Sequence, residues 1–152
     1  RMKLLREFLK IYIVLVNMLI RYGDNLNIII FWRCILTNSI IADKSFDFAI
    51  DIVDLYKKLS TNNKNYVLLN QILRSGTSIG ANVKEGLRGQ SKKDFLAKMY
   101  IALKEADETE YWILLLIETG FIENDLGNEI LNKCREISKI LNSIIKTTKK
   151  KL

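Results

Sequence analysis

Glu105, Asp107, Glu108 and Glu110 form the densest group of side chains able to hold a metal or move a proton. A helical bundle that binds two irons uses inward glutamates together with Glu-x-x-His. This chain contains no histidine. The commonest metal ligand and the commonest general base are therefore missing together. Cys34 and Cys134 are the only cysteines and form no CxxC pair, so they outline neither a zinc site nor a disulfide framework. Ser75, Ser78 and Cys134 have no base to activate them, and Cys134 reads as core. Most of the carboxylates read as solvated groups pairing with Lys104 or their neighbours. Glu108 is the exception. It falls beside the apolar sector between Ala106 and Ile113, where a buried polar contact with Arg74 or Asn82 would fix helix register rather than perform catalysis. No catalytic residue, metal, cofactor or small-molecule substrate is expected.

A second candidate is "RSGTSIGANVKEGLRGQSKKDF", Arg74 to Phe95, which holds four of the seven glycines. A phosphate-cradling loop of the G-x-x-x-x-G-K-[ST] type needs a glycine five positions after the first. Ala81 stands five after Gly76 and Glu85 five after Gly80, and there is no G-x-G-x-x-G. Leu69, Ile72, Leu73, Gly76, Ile79, Gly80, Val83 and Leu87 instead follow at spacings of three, four and one. The glycines thus occupy an apolar helix face. Each costs about 1 kcal/mol relative to alanine in a helix, a cost that close backbone approach would offset. Ser75, Gly76, Ser78 and Gly80 are therefore expected to form a packing surface, inside the bundle or between protomers.

Helices must position these residues. The chain has 152 residues, 49% of them apolar, and no proline, which suits one domain of long helices. From Asp43 onward Phe48, Ala49, Ile52, Leu55, Tyr56 and Leu59 keep helical phase, with Ser45 as N-cap. "STNNKN", residues 60–65, reads as a loop. The glycine-bearing helix follows, with Gly86 suited to its C′ position. Ser91 caps the next helix, with Asp94 in capping-box position. That helix runs from Lys92 to about Thr119 on Phe95, Met99, Ala102, Leu103, Ala106, Ile113, Leu114 and Ile117, and Gly120 ends it. Ile130, Cys134, Ile137, Leu141 and Ile144 form a heptad-like seam in the last helix, which frays into "KTTKKKL". The expected fold is all-α, an antiparallel up-down four-helix bundle over residues 43–152. Residues 1–42 read as an N-terminal extension, either non-native sequence or an extra helix. Its apolar runs, 8–20 and 26–32, are short for a bilayer span of about 20 residues. No small-x-small cleavage site follows them.

The net charge of +7 is unevenly spread. Residues 1–42 hold six basic and two acidic residues, and Lys146, Lys149, Lys150 and Lys151 close the chain. The body between, 43–145, holds fourteen basic and fifteen acidic residues. Arg74, Lys84, Arg88, Lys92, Lys93 and Lys98 gather around the second interhelix loop, with Tyr100 and Tyr111 on the third helix. Arg88, Lys92, Lys93 and Lys98 are the candidate nucleic-acid contacts, since cations bind phosphates and aromatics stack bases. A solvated loop is the alternative. Two free thiols fit a reducing cytoplasm.

"RSGTSIGANVKEG" and "SKKDFLAKMYIALKEADETEYW" resemble the bacterial four-helix-bundle family encoded in intervening sequences of 23S rRNA genes, also labelled S23 ribosomal protein. The resemblance runs from about Phe46 to Leu141 and leaves residues 1–40 outside. It implies an antiparallel four-helix bundle assembled as a ring, typically a homopentamer, with no enzymatic activity. A related member is the accessory variability determinant of diversity-generating retroelements, which binds nucleic acid and a reverse transcriptase. By that kinship the expected partners are further copies of the chain, RNA or DNA, and a protein encoded nearby. The rival reading is a purely structural or selfish-element protein with no nucleic-acid ligand. A third, membrane association, rests on residues 8–20 alone.

Overall fold

A computed structural model describes residues 39–62 and 66–150. Four amphipathic stretches form α1 (Ile40–Asn62), α2 (Tyr66–Leu87), α3 (Lys92–Glu118) and α4 (Asn124–Lys149). The expected extension, with its apolar runs and Cys34, lies outside the described residues up to position 38.

Side-chain pairings give the topology. Along α2 and α3, Ser75 meets Thr109 and Glu85 meets Lys98, so partners fall in number on one helix as they rise on the other. The same holds for Tyr56 with Asn70 and Ser45 with Gly80. It holds again for Ala106 with Cys134 and Tyr100 with Lys149, and for Lys44 with Glu136 and Asp51 with Lys133. All four neighbouring pairs are antiparallel, which makes an up-down four-helix bundle. Phe48 and Ile52 of α1, Leu69, Ile72, Ile79 and Val83 of α2, Met99 and Ile113 of α3, and Ile137 and Leu141 of α4 fill its centre. Each such large side chain contributes about 1.5–3 kcal/mol of transfer free energy.

Several local expectations are corrected. Ser45 is not an N-cap. α1 begins at Ile40 because Ile41 packs into the core, so Ser45 is buried in the helix, its hydroxyl donating to the Ala42 carbonyl at 3.1 Å. Gly86 is not the residue after α2 but a buried residue within it. A Cβ there would lie 2.6 Å from Met99 Cε, so glycine lets α3 approach. Leu114 is exposed, while Thr109 and Leu116 are buried. In α4 the seam closes on Ile145, since Ile144 is half-buried. The last helix does not fray at Lys146: it continues to Lys149.

The turns behave as their residues dictate. Ser91 Oγ accepts from the Asp94 amide at 3.1 Å, and Asp94 Oδ2 accepts from the Gln90 amide at 3.2 Å. The reciprocal bond thus falls one residue before the cap itself. Gly120 takes φ 71° and turns the chain after α3, a left-handed conformation that glycine adopts without strain.

Candidate functional site: the basic end of the bundle

The antiparallel order brings the C-terminus of α2, the N-terminus of α3 and the C-terminus of α4 to one end. Lys84 and Arg88 leave α2, Lys92 and Lys93 open α3, and Lys146, Lys149 and Lys150 close α4; all are exposed. Lys149 Nζ lies 5.7 Å from the centroid of the Tyr100 ring, which ties the lysines of α4 to the face of α3. A cation at that distance is attracted by the ring quadrupole. The opposite end carries Asp54, Glu118, Glu123, Asp125 and Glu129 against Lys57 and Lys58 among the described residues. The sequence places its lysines in separate segments, and the fold converts them into one pole.

Of the four cations expected at the loop, Arg88, Lys92 and Lys93 stand in the open. Lys98 does not: it is bridged to Glu85, whose hydrogen bond holds its ammonium above the ordinary lysine range. A cation already neutralised contributes less to phosphate binding. Tyr111 lies eleven residues further along α3 than Tyr100, roughly 16 Å at helical rise, outside this pole.

The small-residue face is divided between seams. Gly76 is buried with its missing Cβ 2.8 Å from Ile52 Cγ1, and Gly80 faces the Ser45 carbonyl oxygen at 3.1 Å. Both let α1 approach α2. Ser75 turns the other way, toward Thr109 of α3. Ser78 is half-buried, and its carbonyl accepts from the Asn82 amide at 2.9 Å.

The expected buried group of Arg74, Asn82 and Glu108 is corrected. Arg74 and Glu108 do meet, but at the rim of the α2–α3 seam, where the arginine side chain is 53% exposed. Asn82 is absent from the contact because its amide is used by its own helix. Trp112 Nε1 donates to the same Glu108 carboxylate at 3.2 Å. The Arg74 hydrogen bond, then the Trp112 one, hold Glu108 below the ordinary carboxylate range. Glu105 also faces Arg74, at 3.5 Å, with Oε2 buried and without a hydrogen bond. Two of the four clustered carboxylates, Glu105 and Glu108, therefore flank a guanidinium at the rim of the seam.

A family model for the 23S rRNA-intervening sequence protein matches residues 37–143. The chain belongs to the 23S rRNA-intervening sequence protein family. A crystal structure of a protein with unknown function from the S23 ribosomal protein family of Bacteroides thetaiotaomicron VPI-5482 is similar to it. The two are 53% identical, the match covers 70% of this chain and 99% of that one, and the TM-score is 0.69. Among curated proteins none matches the chain.

In this chain the remaining reactive group described is Cys134. It is fully buried, its thiol donates to the Ala106 carbonyl at 3.4 Å, and burial pushes its pKa up to about 12. The thiolate needed for nucleophilic attack is thus suppressed. Among the described residues no helix is long and apolar enough to cross a membrane. Residue-level reading missed the Tyr100–Lys149 contact. The available signal was the antiparallel order itself, which places the start of the third helix beside the end of the fourth.

Proposed function

We propose that this protein is a non-enzymatic homo-oligomeric scaffold that binds nucleic acid in the cytoplasm through its basic end. The observation that carries the reading is that the exposed Arg88, Lys92, Lys93 and Lys149 stand at one end of the bundle, with Lys149 Nζ 5.7 Å from the ring centroid of the exposed Tyr100. Cations at this density contact phosphates, and a tyrosine at their edge gives a base a surface to stack on. Contacts to phosphates carry no sequence information, so such binding reads backbone shape and charge rather than sequence. A ring of about five copies, as the resemblance implies, repeats the patch and adds avidity without new contacts.

The test is a filter-binding titration with single-stranded and duplex RNA over a range of salt. Each phosphate contact adds about 0.7–0.9 to the salt slope. Changing Arg88, Lys92 and Lys93 together to glutamate should abolish retention, and Lys146, Lys149 and Lys150 to glutamate should weaken it, both with unchanged helicity. Equal retention by wild type and both triple variants would discard this surface. No retention by wild type at low salt would leave the purely structural reading.

A further inference from the structure

Tyr100 and Tyr111 both face outward on α3, but their neighbours differ. Lys93, Ala97, Tyr100 and Lys104 follow at spacings of four, three and four, so they share one stripe of the helix. All four are exposed, and among the described residues neither lysine belongs to an ion pair. The stripe spans roughly 16 Å at the helical rise. Its acidic neighbours are engaged or lie beyond it. Asp94 Oδ2 accepts from the Gln90 amide, Glu110 is bridged to Arg135, and Asp107, one turn past Lys104, closes the basic stretch. Tyr111, by contrast, stands between Asp107 and Glu118.

Side chains on a helix lean toward its N-terminus. The stripe residue on that side of Tyr100 is Ala97, whose methyl group leaves room beside the ring as far as Lys93. From α4, Lys149 Nζ stands 5.7 Å from the ring centroid, near the outer limit at which a ring attracts a cation. An exposed pair of this kind is weaker than a base stacked on an aromatic ring. A base therefore displaces the ammonium from the ring. Lys149 is the last residue of α4, so its freed ammonium stays beside the phosphate of that nucleotide.

We infer that Tyr100 is a base-stacking platform that makes the basic end selective for single-stranded nucleic acid over duplex. An unpaired base lies on the ring, and Lys93, Lys104 and Lys149 take the phosphates around it. A duplex keeps its bases stacked on one another and offers this stripe only its phosphates. The inference rests on the nucleic-acid reading above and assigns the kind of strand and the residue that selects it.

The test titrates the full chain against labelled oligouridine, oligothymidine and an oligouridine–oligoadenylate duplex of equal length, read by fluorescence anisotropy. Wild type should hold both single strands more tightly than the duplex. Tyr100→Ala should weaken the single strands about 5- to 150-fold and leave the duplex unchanged. Tyr100→Phe, which keeps the ring face, should behave as wild type. Oligouridine and oligothymidine should lose equally, because a ring face makes no use of the 2′-hydroxyl. The salt slope separates stacking from charge: it should be the same in Tyr100→Ala as in wild type, whereas Lys104→Met should lower it by about 0.7. Equal affinity of wild type for single strands and duplex, an equal loss of both in Tyr100→Ala, or a loss confined to one of the two single strands overturns the platform while the basic end stands. Binding of none of the three by wild type at low salt overturns the nucleic-acid reading and the platform with it.

Discussion

The hydroxyl oxygens of Ser75 and Thr109 lie 3.0 Å apart in the middle of the α2–α3 seam, with both side chains fully buried. Each also reaches the carbonyl four residues before it, Gln71 for Ser75 at 3.0 Å and Glu105 for Thr109 at 2.6 Å. Two hydroxyl protons therefore serve three contacts. Removing one hydroxyl leaves the other bonded to its own helix, so no buried group is orphaned. Thr109→Val, which keeps the shape, should cost about 0.5–1.5 kcal/mol. Ser75→Ala with Thr109→Val should cost less than the sum of the two single changes. Urea unfolding of all four proteins measures this coupling, and strict additivity would remove the cross-helix bond from the account.

The glycines should differ in a way that composition does not predict. Gly76→Ala puts a Cβ 2.8 Å from Ile52 Cγ1 in a filled core. Overpacking of this kind costs about 1–3 kcal/mol, against about 1 kcal/mol gained in helix propensity. Gly120 has nothing within 4 Å but sits at φ 71°. There alanine should cost about 1–2 kcal/mol, and asparagine, which tolerates this conformation, clearly less. Melting temperatures of the three variants order these effects.

Glu108 gives stability an acid limb. Its pKa is held below the ordinary 4.5 by hydrogen bonds from Arg74 and then Trp112. A carboxyl depressed in the folded state contributes stability above its unfolded pKa. That contribution is lost as pH falls through the folded value. Stability should therefore decline below about pH 4.5 less steeply in Glu108→Gln than in wild type. Denaturant midpoints between neutral pH and pH 3 test this, and parallel profiles would mean that the rim pair is energetically silent.

Cys134 should be inert until the bundle opens. With its pKa pushed up to about 12 and its side chain buried, almost no thiolate exists at pH 8. In a Cys34→Ser background, labelling by an aromatic disulfide should be slow without denaturant and should accelerate with urea. Immediate labelling of the folded protein would contradict the burial of this side chain.

The helices were legible because apolar residues in α1, α2 and α4 recur with the helical period. α3 was less legible on its outer side, where Leu114 keeps the period yet faces solvent. Thr109 shows the converse. It lies three residues after Ala106 and four before Ile113, in phase with the core, but its hydroxyl disguises the position. Gly86 was misread because a buried glycine near a helix end looks locally like a terminator, and only the approach of Met99 distinguishes the two. The basic pole was half legible. The loop cations Arg88, Lys92 and Lys93 are neighbours in sequence, whereas Lys149 joins them only through the return of α4.

Three of the four seams join helices consecutive in the chain, and only α1 with α4 joins its distant parts. The first three can zip as local hairpins at small loop-closure cost, whereas the fourth must bring positions such as Asp51 and Lys133 together across most of the domain. That closing seam lacks the interlocked glycines of α1–α2 and relies in part on Lys44–Glu136 and on Lys133 between Asp51 and Glu129. Exposed ion pairs contribute little each. In the folding order this implies, α2, α3 and their hairpin partners assemble first and α4 meets α1 last. By the same reasoning, the amides of α1 and α4 should exchange with solvent before those of α2 and α3.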